Sequence, residues 1–469
     1  MLNQRSWALA ALLTLLSISS LAAAPPDAAL RGEAGAALRR AADYFRQRVA
    51  RHGGYVYHYS LDLQRRWGEG VATPDQIWVQ PPGTPTVGIA LLAAYDATRE
   101  PAYLEGAVAA ARALIYGQLE SGAWTNSIDF DPKSKNVAQY RGGRGRGRNY
   151  STLDDGISQS AIRFLALVDR ATGFHDAEIH EAARVAVDAL LRAQFPNGAF
   201  PQVWTGPSSK QPIRRAQYPD YDWRTENRVK EYWNFYTLND DVCGYVAATL
   251  QTAAEVYDDK RCTEALIKLG DFLVLAQMPD PQPAWAQQYD YDMHPVWARR
   301  FEPPAVSGRE SQDAIRVLMK VYELTGDEKY LEPIPRALAY LKSSLLSDGR
   351  LARYYELRSN RPLYMTEKYE LTYDDGRVPD HYGWKTDSEV EPLSQALARI
   401  RQRSPRTTET VSEATVRELI DQLDDEGRWI STHEGGLLIG QPKFRRGDQY
   451  LSSAVFSRNV ETLSRYLRQ

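Results

Sequence analysis

Two short stretches of this chain carry side chains able to do chemistry together: Thr152-Leu153-Asp154-Asp155 and Thr237-Leu238-Asn239-Asp240. Each precedes an apolar run with helical spacing, starting at Ile157 and at Val242. An Asp or Asn at such a position is expected to cap the helix, its side-chain oxygen accepting a free N–H of the opening turn. Two capped helices in a repeat present equivalent ends to one side of a molecule, so carboxylate and amide oxygens from distant parts of the chain can converge. Oxygen donors of that kind suit a hard divalent cation. Two basic clusters stand upstream of the acidic pair: Lys133, Lys135, Arg141, Arg144, Arg146 and Arg148, then Arg214, Arg215, Arg224, Arg228 and Lys230. A basic rim around an acidic site fits a polyanionic substrate held with a cation.

The chain has 469 residues, 43% of them hydrophobic and 25% charged, as expected of a globular protein with a large core. A formal net charge of -3 argues against general nucleic-acid binding. Asn3-Gln4-Arg5, the apolar run from Trp7 to Leu16, and Ser20 and Ala22 together predict a signal peptide over residues 1–22. The mature protein is then exported to the periplasm or the medium, and no later segment has the length and apolarity to cross a membrane. Cys243 and Cys262 are the only cysteines, open at this point to a disulfide or to two buried thiols.

The elements that must position the acidic stretches read as repeated helix pairs. Val87 to Ala97 with Tyr103 to Ile115 is the first; the others begin at Ile157, Val242 and Ala314 and end at Leu191, Leu275 and Leu341. A turn with Gly, and in most copies an aromatic, closes each pair, as in Gly122-Ala123-Trp124 and Asn197-Gly198-Ala199-Phe200. Such pairs cannot bury their apolar faces alone and must stack. Long loops rich in Trp and Tyr at one end favour a ring, and strand alternation of convincing length is missing, so the class is all-α. Trp124, Trp204, Trp233 and Trp285 follow helix pairs, where a repeated Trp packs more often than it stacks on a sugar. Residues 23–400 form the expected catalytic domain. Residues 401–469, with helices at Val416 to Leu423 and Ala454 to Tyr466, form a closing helix pair of that domain or a small appendage.

The polar loops carry a more specific signal. Trp285-Ala286-Gln287-Gln288-Tyr289-Asp290, Ala298-Arg299-Arg300-Phe301-Glu302 and the run from Arg353-Tyr354-Tyr355 to Asn360-Arg361-Pro362 stand in the same order as Asn197-Gly198-Ala199-Phe200-Pro201-Gln202 and the two Thr-Leu motifs. Together these resemble pectate lyases of polysaccharide lyase family 10, over roughly residues 83 to 390. The resemblance implies a partial (α/α) toroid with long loops on one face, acting as a monomer on polygalacturonate by calcium-dependent β-elimination. A base removes the C5 proton, α to the uronate carboxylate, and the 4-linked oxygen leaves; a divalent cation and arginines offset the negative charge that makes this proton poorly acidic.

By the same resemblance Arg353 and Asp154 are catalytic, Arg353 as the base, although arginine is ordinarily always protonated. Asp154 and Asp240 are implied to hold Ca2+, with Asp155 and Asn239 as supporting oxygens toward substrate. Arg299 and Arg361 are implied to bind substrate carboxylates, and Gln202, Gln287 and Tyr354 are expected to bind substrate as well. Arg300 occupies a site where the family often has a small residue, and Thr366-Glu367-Lys368 replaces an expected Arg-Asp-Gly, leaving Lys368 to supply the charge. Two other readings are a glycoside hydrolase using Asp155 and Asp240 as acid and base, and a non-catalytic binder of acidic polysaccharide.

Overall fold

Helices form wherever the 3.6-residue apolar period runs, and the packing between them makes the ring. The structure, a computed structural model, describes residues 27–225, 230–404, 410–440 and 442–469. The expected leader at 1–22, and Arg228 of the second basic cluster, lie outside the described residues, while Lys230 is exposed. Twelve α-helices are present among the described residues: α1 (Ala28–Tyr44), α2 (Thr84–Thr98), α3 (Pro101–Tyr116), α4 (Ile157–Ala171), α5 (Ala177–Ala193), α6 (Val242–Tyr257), α7 (Lys260–Ala276), α8 (Gly308–Thr325), α9 (Ile334–Ser343), α10 (Val390–Arg401), α11 (Glu413–Asp421) and α12 (Ser453–Arg468).

An inner arc runs α12, α2, α4, α6, α8, α10, each packed on the next, with α3, α5, α7 and α9 outside it and α1 and α11 backing α12. Inner helices are covered on several sides, and their sequences show it: α2 buries Val87, Ala90, Leu91, Leu92 and Ala94, an almost continuous apolar run. The outer helix α5 instead buries one stripe, Ile179, Ala182, Ala183, Ala186, Val187 and Leu190. No comparable packing joins α10 to α12 among the described residues, so the toroid is partial. Among them, no helix is long and apolar enough to cross a membrane.

Two side chains recur at the ends of several helices. Gln118, Gln194 and Gln277 each donate through Nε2 to a carbonyl of their own turn and to one on the next outer segment, for example Gly122 and Ala182. Trp124, Trp285 and Trp429 each drive a ring inward and donate Nε1 to a carbonyl of the helix just ended: Leu114, Leu273 and Leu419. Trp124 and Trp285 are 0% exposed, so they pack as expected.

The all-α expectation needs one refinement. Short strands, two to four residues long, connect the loop face, and their brevity hides any alternation. The strand before an inner helix pairs antiparallel with the strand after the next outer helix: Gln76–Trp78 with Ser127–Asp129, Ser151–Thr152 with Val203–Trp204, Tyr236–Thr237 with Gln288–Tyr289, and Ala305–Ser307 with Tyr354–Glu356. These ribbons clamp the entrance to each inner helix. A five-stranded sheet joins His58–Ser60, Arg66–Trp67 and Val71–Ala72 to Ile430–Thr432 and Gln449–Ser452, tying the C-terminal segment to the first unit. Cys243 and Cys262 are free, buried thiols.

Candidate active site

The two acidic stretches occupy repeat-equivalent places. Each follows a ribbon strand, and the register is fixed by matching bonds: Leu153 N–H donates to Gln202 O at 2.8 Å and Leu238 N–H to Gln287 O at 2.9 Å. Asp154 thus corresponds to Asn239, and Asp155 to Asp240. Neither pair caps its helix, which corrects the first expectation drawn from them. The capping positions belong to Gly156 and Asp241, without a side-chain bond to either helix. The reason is the backbone: Asp155 (φ 45), Gly156 (φ 73), Asp240 (φ 51) and Asp241 (φ 58) are left-handed, turning the carboxylates away from the helix N–H groups. The first turn of α6 is served from outside, with Gly244 N–H donating to Asp313 on α8 at 2.8 Å.

Freed from capping, the carboxylates converge. Asp154, Asp155 and Asp240 each offer an oxygen, and these oxygens lie within 4.8 Å of one another. Gln202 Nε2 donates to Asp154 at 2.7 Å, and Gln80 Nε2 donates to Asp155 at 2.9 Å and to Glu69 at 3.1 Å. Arg353 Nη2 holds the other side, donating to Asn239 at 3.0 Å, Asp240 at 3.1 Å and Glu310 at 3.0 Å. Arg299 Nη2 donates to the second oxygen of Asp240 at 3.1 Å, while its Nε pairs with Glu302 at 2.9 Å. Arg309 pairs with Asp241 at 2.7 Å. The Arg353 guanidinium also lies over the Tyr382 ring, 4.9 Å from its centroid.

Six carboxylates, Asp154, Asp155, Asp240, Asp241, Glu302 and Glu310, therefore face three guanidinium groups in one network. The excess negative charge sits on the triad. Burial, followed by Asp240, pushes Asp154 up to about 6 against the pull of Arg299 and Gln202. The surrounding protein, then Asp240, Asp154 and Glu69, pushes Asp155 up to about 7. Asp240 goes the other way: burial raises it, but Arg353, Arg299 and Arg309 outweigh burial and hold it below the usual carboxylate range. Arg353 is 3% exposed, and burial alone lowers its basicity; Glu310, Tyr382, Tyr354 and Asp240 more than reverse this and keep it cationic. Three mutually repelling, all-oxygen donors fit a hard divalent cation.

Of the residues expected from sequence, Asp154, Asp155, Asn239, Asp240, Gln202, Arg299 and Arg353 are thus in one network. Tyr354 and Gln287 lie beneath it, 0% and 4% exposed, with the Tyr354 hydroxyl bonded to Gln287 and to Tyr382. Arg361 stands apart, exposed and stacked over Tyr373 at 3.3 Å from the ring centroid. Arg300 and Lys368 are exposed too, Arg300 over Tyr369. Of the first basic cluster, Arg141 pairs with Glu181 and Arg144 lies over Tyr116. Glu310, Glu302, Tyr382, Gln80 and Glu69 were missed. Ser307-x-x-Glu310 is a capping-box spacing that marks the start of α8 and could have drawn attention to Glu310; Tyr382, in an irregular loop, carries no such signal.

Residues 118–321 match the family model described as pectic acid lyase. This region is a pectic acid lyase domain. The domain contains both acidic turns, Gln202, Arg299 and Glu310, while Arg353 follows its end and Gln80 and Glu69 precede it. As the domain indicates, the protein is an enzyme, a polysaccharide lyase. None of the curated proteins compared matches the chain. Among solved structures the chain is similar to the family 10 polysaccharide lyase from Cellvibrio cellulosa. A mutant of that lyase in complex with trigalacturonic acid has 20% identity and a TM-score of 0.47, with 68% of this chain and 99% of that chain covered. The chain is also similar to a cellobiose 2-epimerase from Spirochaeta thermophila, with 18% identity and a TM-score of 0.48, covering 94% of this chain and 97% of that one.

Proposed function

We propose that this pectic acid lyase domain cleaves polygalacturonate by β-elimination with Ca2+, giving unsaturated oligogalacturonides, and that the mature protein is exported. The observation that carries this is the convergence of Asp154, Asp155 and Asp240 within 4.8 Å, backed by Arg299 and Arg353. Asp154, Asp155 and Asp240 are the residues to hold Ca2+. Bound there, the ion neutralises a substrate carboxylate and makes the adjacent C5 proton more acidic. Arg299, half exposed beside Asp240, is placed to take the same carboxylate through a guanidinium fork.

Arg353 is assigned the C5 proton. Its Nη2 is spent on Asn239, Asp240 and Glu310, and its Nη1 makes no hydrogen bond among the described residues. The protein holds it cationic, so a base role belongs to the loaded site, where Asp240 no longer serves the arginine alone. As the C5–H bond breaks, the C4–O bond breaks with it and the departing oxygen takes a proton from water. Gln202 and Gln80 orient Asp154 and Asp155. Tyr354, Gln287 and Tyr382 support the guanidinium from below, in place of touching sugar. Arg361 and Lys368 are left for distal parts of a long substrate. Residues 401–469 are assigned to the same unit as the catalytic ring.

The hydrolase reading suits the site less well. Inverting glycosidases hold their two carboxyl groups roughly 6.5–9.5 Å apart to admit a water, whereas oxygens of Asp155 and Asp240 approach within 4.8 Å. The test is absorbance: purified protein with Ca2+ and polygalacturonate raises ultraviolet absorbance as 4,5-double bonds form. Release of reducing ends without that rise sinks the lyase mechanism in favour of hydrolysis.

A further inference from the structure

The bore of the ring, behind the acidic turns, holds a cavity of about 500 Å³ between α2, α4, α6 and α12. Tyr245 on α6 lines it and also abuts the acidic turn, 3.4 Å from where a Cβ on Gly156 would stand. Thr86 and Ile89 form one wall, and three guanidinium groups, Arg163, Arg465 and Arg468, look into the space, with Glu461 the carboxylate among the lining residues. The lining is therefore net positive, although it adjoins the most acidic part of the molecule.

The three arginines have no hydrogen-bonded or ion-paired partner among the described residues, and Arg163 Nε is fully buried without one. Burial lowers the basicity of Arg163, and Glu461 is too weakly placed to restore it. A helix macrodipole accounts for Arg465 and Arg468, both in the last turn of α12. It does not account for Arg163. That residue stands at the middle of α4, where the helix dipole offers a cation no partner. A charged donor left unpartnered is costly, and the lining sets three guanidinium groups against one carboxylate, so the arrangement favours an anion.

We propose that the bore cavity is a second, non-catalytic binding site for a short acidic sugar of one or two rings. A carboxylate meets Arg163 and Arg465, and the Ile89 and Tyr245 walls face the ring. The volume lies within the roughly 300–1,000 Å³ of small-molecule sites and admits a short product, not a polymer. The choice of uronate rests on the proposed lyase activity; the anion requirement does not.

The test uses the full chain carrying Asp154→Asn, in chelator, so that the metal-dependent site is silent. Calorimetry with galacturonic acid, digalacturonic acid, galactose and sulfate is expected to show binding of the two acids, none of galactose and weaker binding of sulfate. Arg163→Gln and Arg465→Gln are each expected to weaken acid binding by about tenfold or more. Arg465 is exposed, so its replacement tests the site even if Arg163→Gln fails to fold. Absence of uronate binding, undiminished binding in Arg465→Gln, or sulfate binding as tight as the uronates overturns the proposal. Ultraviolet assays on the unsubstituted chain separate the two ideas: turnover there with no uronate binding to Asp154→Asn sinks only this inference, and uronate binding to Asp154→Asn with no turnover of the unsubstituted chain sinks only the lyase reading.

Discussion

At the residue scale, Glu310 separates the two roles open to Arg353. Glu310 is the strongest of the charges that keep this guanidinium protonated, and it is fully buried against Nη2. Glu310→Gln removes that charge while keeping the shape, so the basicity of Arg353 falls. If the arginine takes the C5 proton, the limb of the rate profile set by its deprotonation moves to lower pH by about one unit or more; initial ultraviolet rates at saturating Ca2+ measure this. An unmoved profile with a raised KM means that Arg353 only pins a carboxylate. In either role Arg353→Ala is expected to lower turnover by about 10²–10⁴-fold with the helical circular dichroism intact. The triad gives a second prediction. Asp154 and Asp155 hold their protons up to about 6 and 7, so protons compete with the cation across that range. Raised folded-state values also mean that ionising these two groups destabilises the metal-free fold as pH rises above about 4, while Asp240, held low, acts in the opposite sense. Calorimetry is expected to show Ca2+ binding weakening from pH 7.5 to 5, and the Ca2+-induced rise in Tm shrinking over the same range; pH-independent binding would place the ion elsewhere. The triad and Arg353 were legible because they sit in short motifs whose order is distinctive. Glu310 was not, because a Glu in a capping-box position reads as local chemistry, and only the fold brings it to an arginine 43 residues away in sequence.

At the element scale, the site depends on two strained turns. Gly156 has φ 73, and an added Cβ would meet the Tyr245 ring at 3.4 Å. Gly156→Ala is therefore expected to cost about 1–2 kcal/mol in urea unfolding and to weaken Ca2+ binding, since Asp155 is the preceding residue. Loss of stability with unchanged Ca2+ affinity would separate the turn from the metal site. The same turns show where sequence reading stops. The apolar period gave α2 to α7 nearly whole, but it placed the start of the fourth pair at Ala314, while α8 begins at Gly308. The missing turns carry Arg309, Glu310 and Asp313, polar residues that face the acidic site, so function erases the helix signal where it matters most. The ribbon strands were invisible for a different reason. Two or three residues cannot display a period of two, and pairings such as Thr152 with Val203 are decided by the helices between them.

At the scale of the whole molecule, the question is whether α11 and α12 close the ring or merely hang from it. Three features tie them in. The α12 helix packs along α2 as part of the inner arc, Phe456 stacks on Phe45 with ring centroids 3.7 Å apart, and Ser453 N–H donates to Tyr57 O at 3.0 Å. Trp429 repeats the inward-driven ring and the Nε1 bond seen at Trp124 and Trp285, marking the last helix pair as another copy of the same unit. The sequence left this open because a long polar connection separates it from the regular pairs. An appendage would melt on its own and leave the catalytic ring untouched. An inner helix cannot, since its removal opens α2, and with it the bore, to water. Phe456→Ala is expected to cost about 3–5 kcal/mol and to shift the unfolding midpoint of the entire helical signal, with lyase activity lost in the same transition. Two resolved transitions, with activity following the one that Phe456→Ala leaves in place, would show that residues 401–469 fold apart from the site.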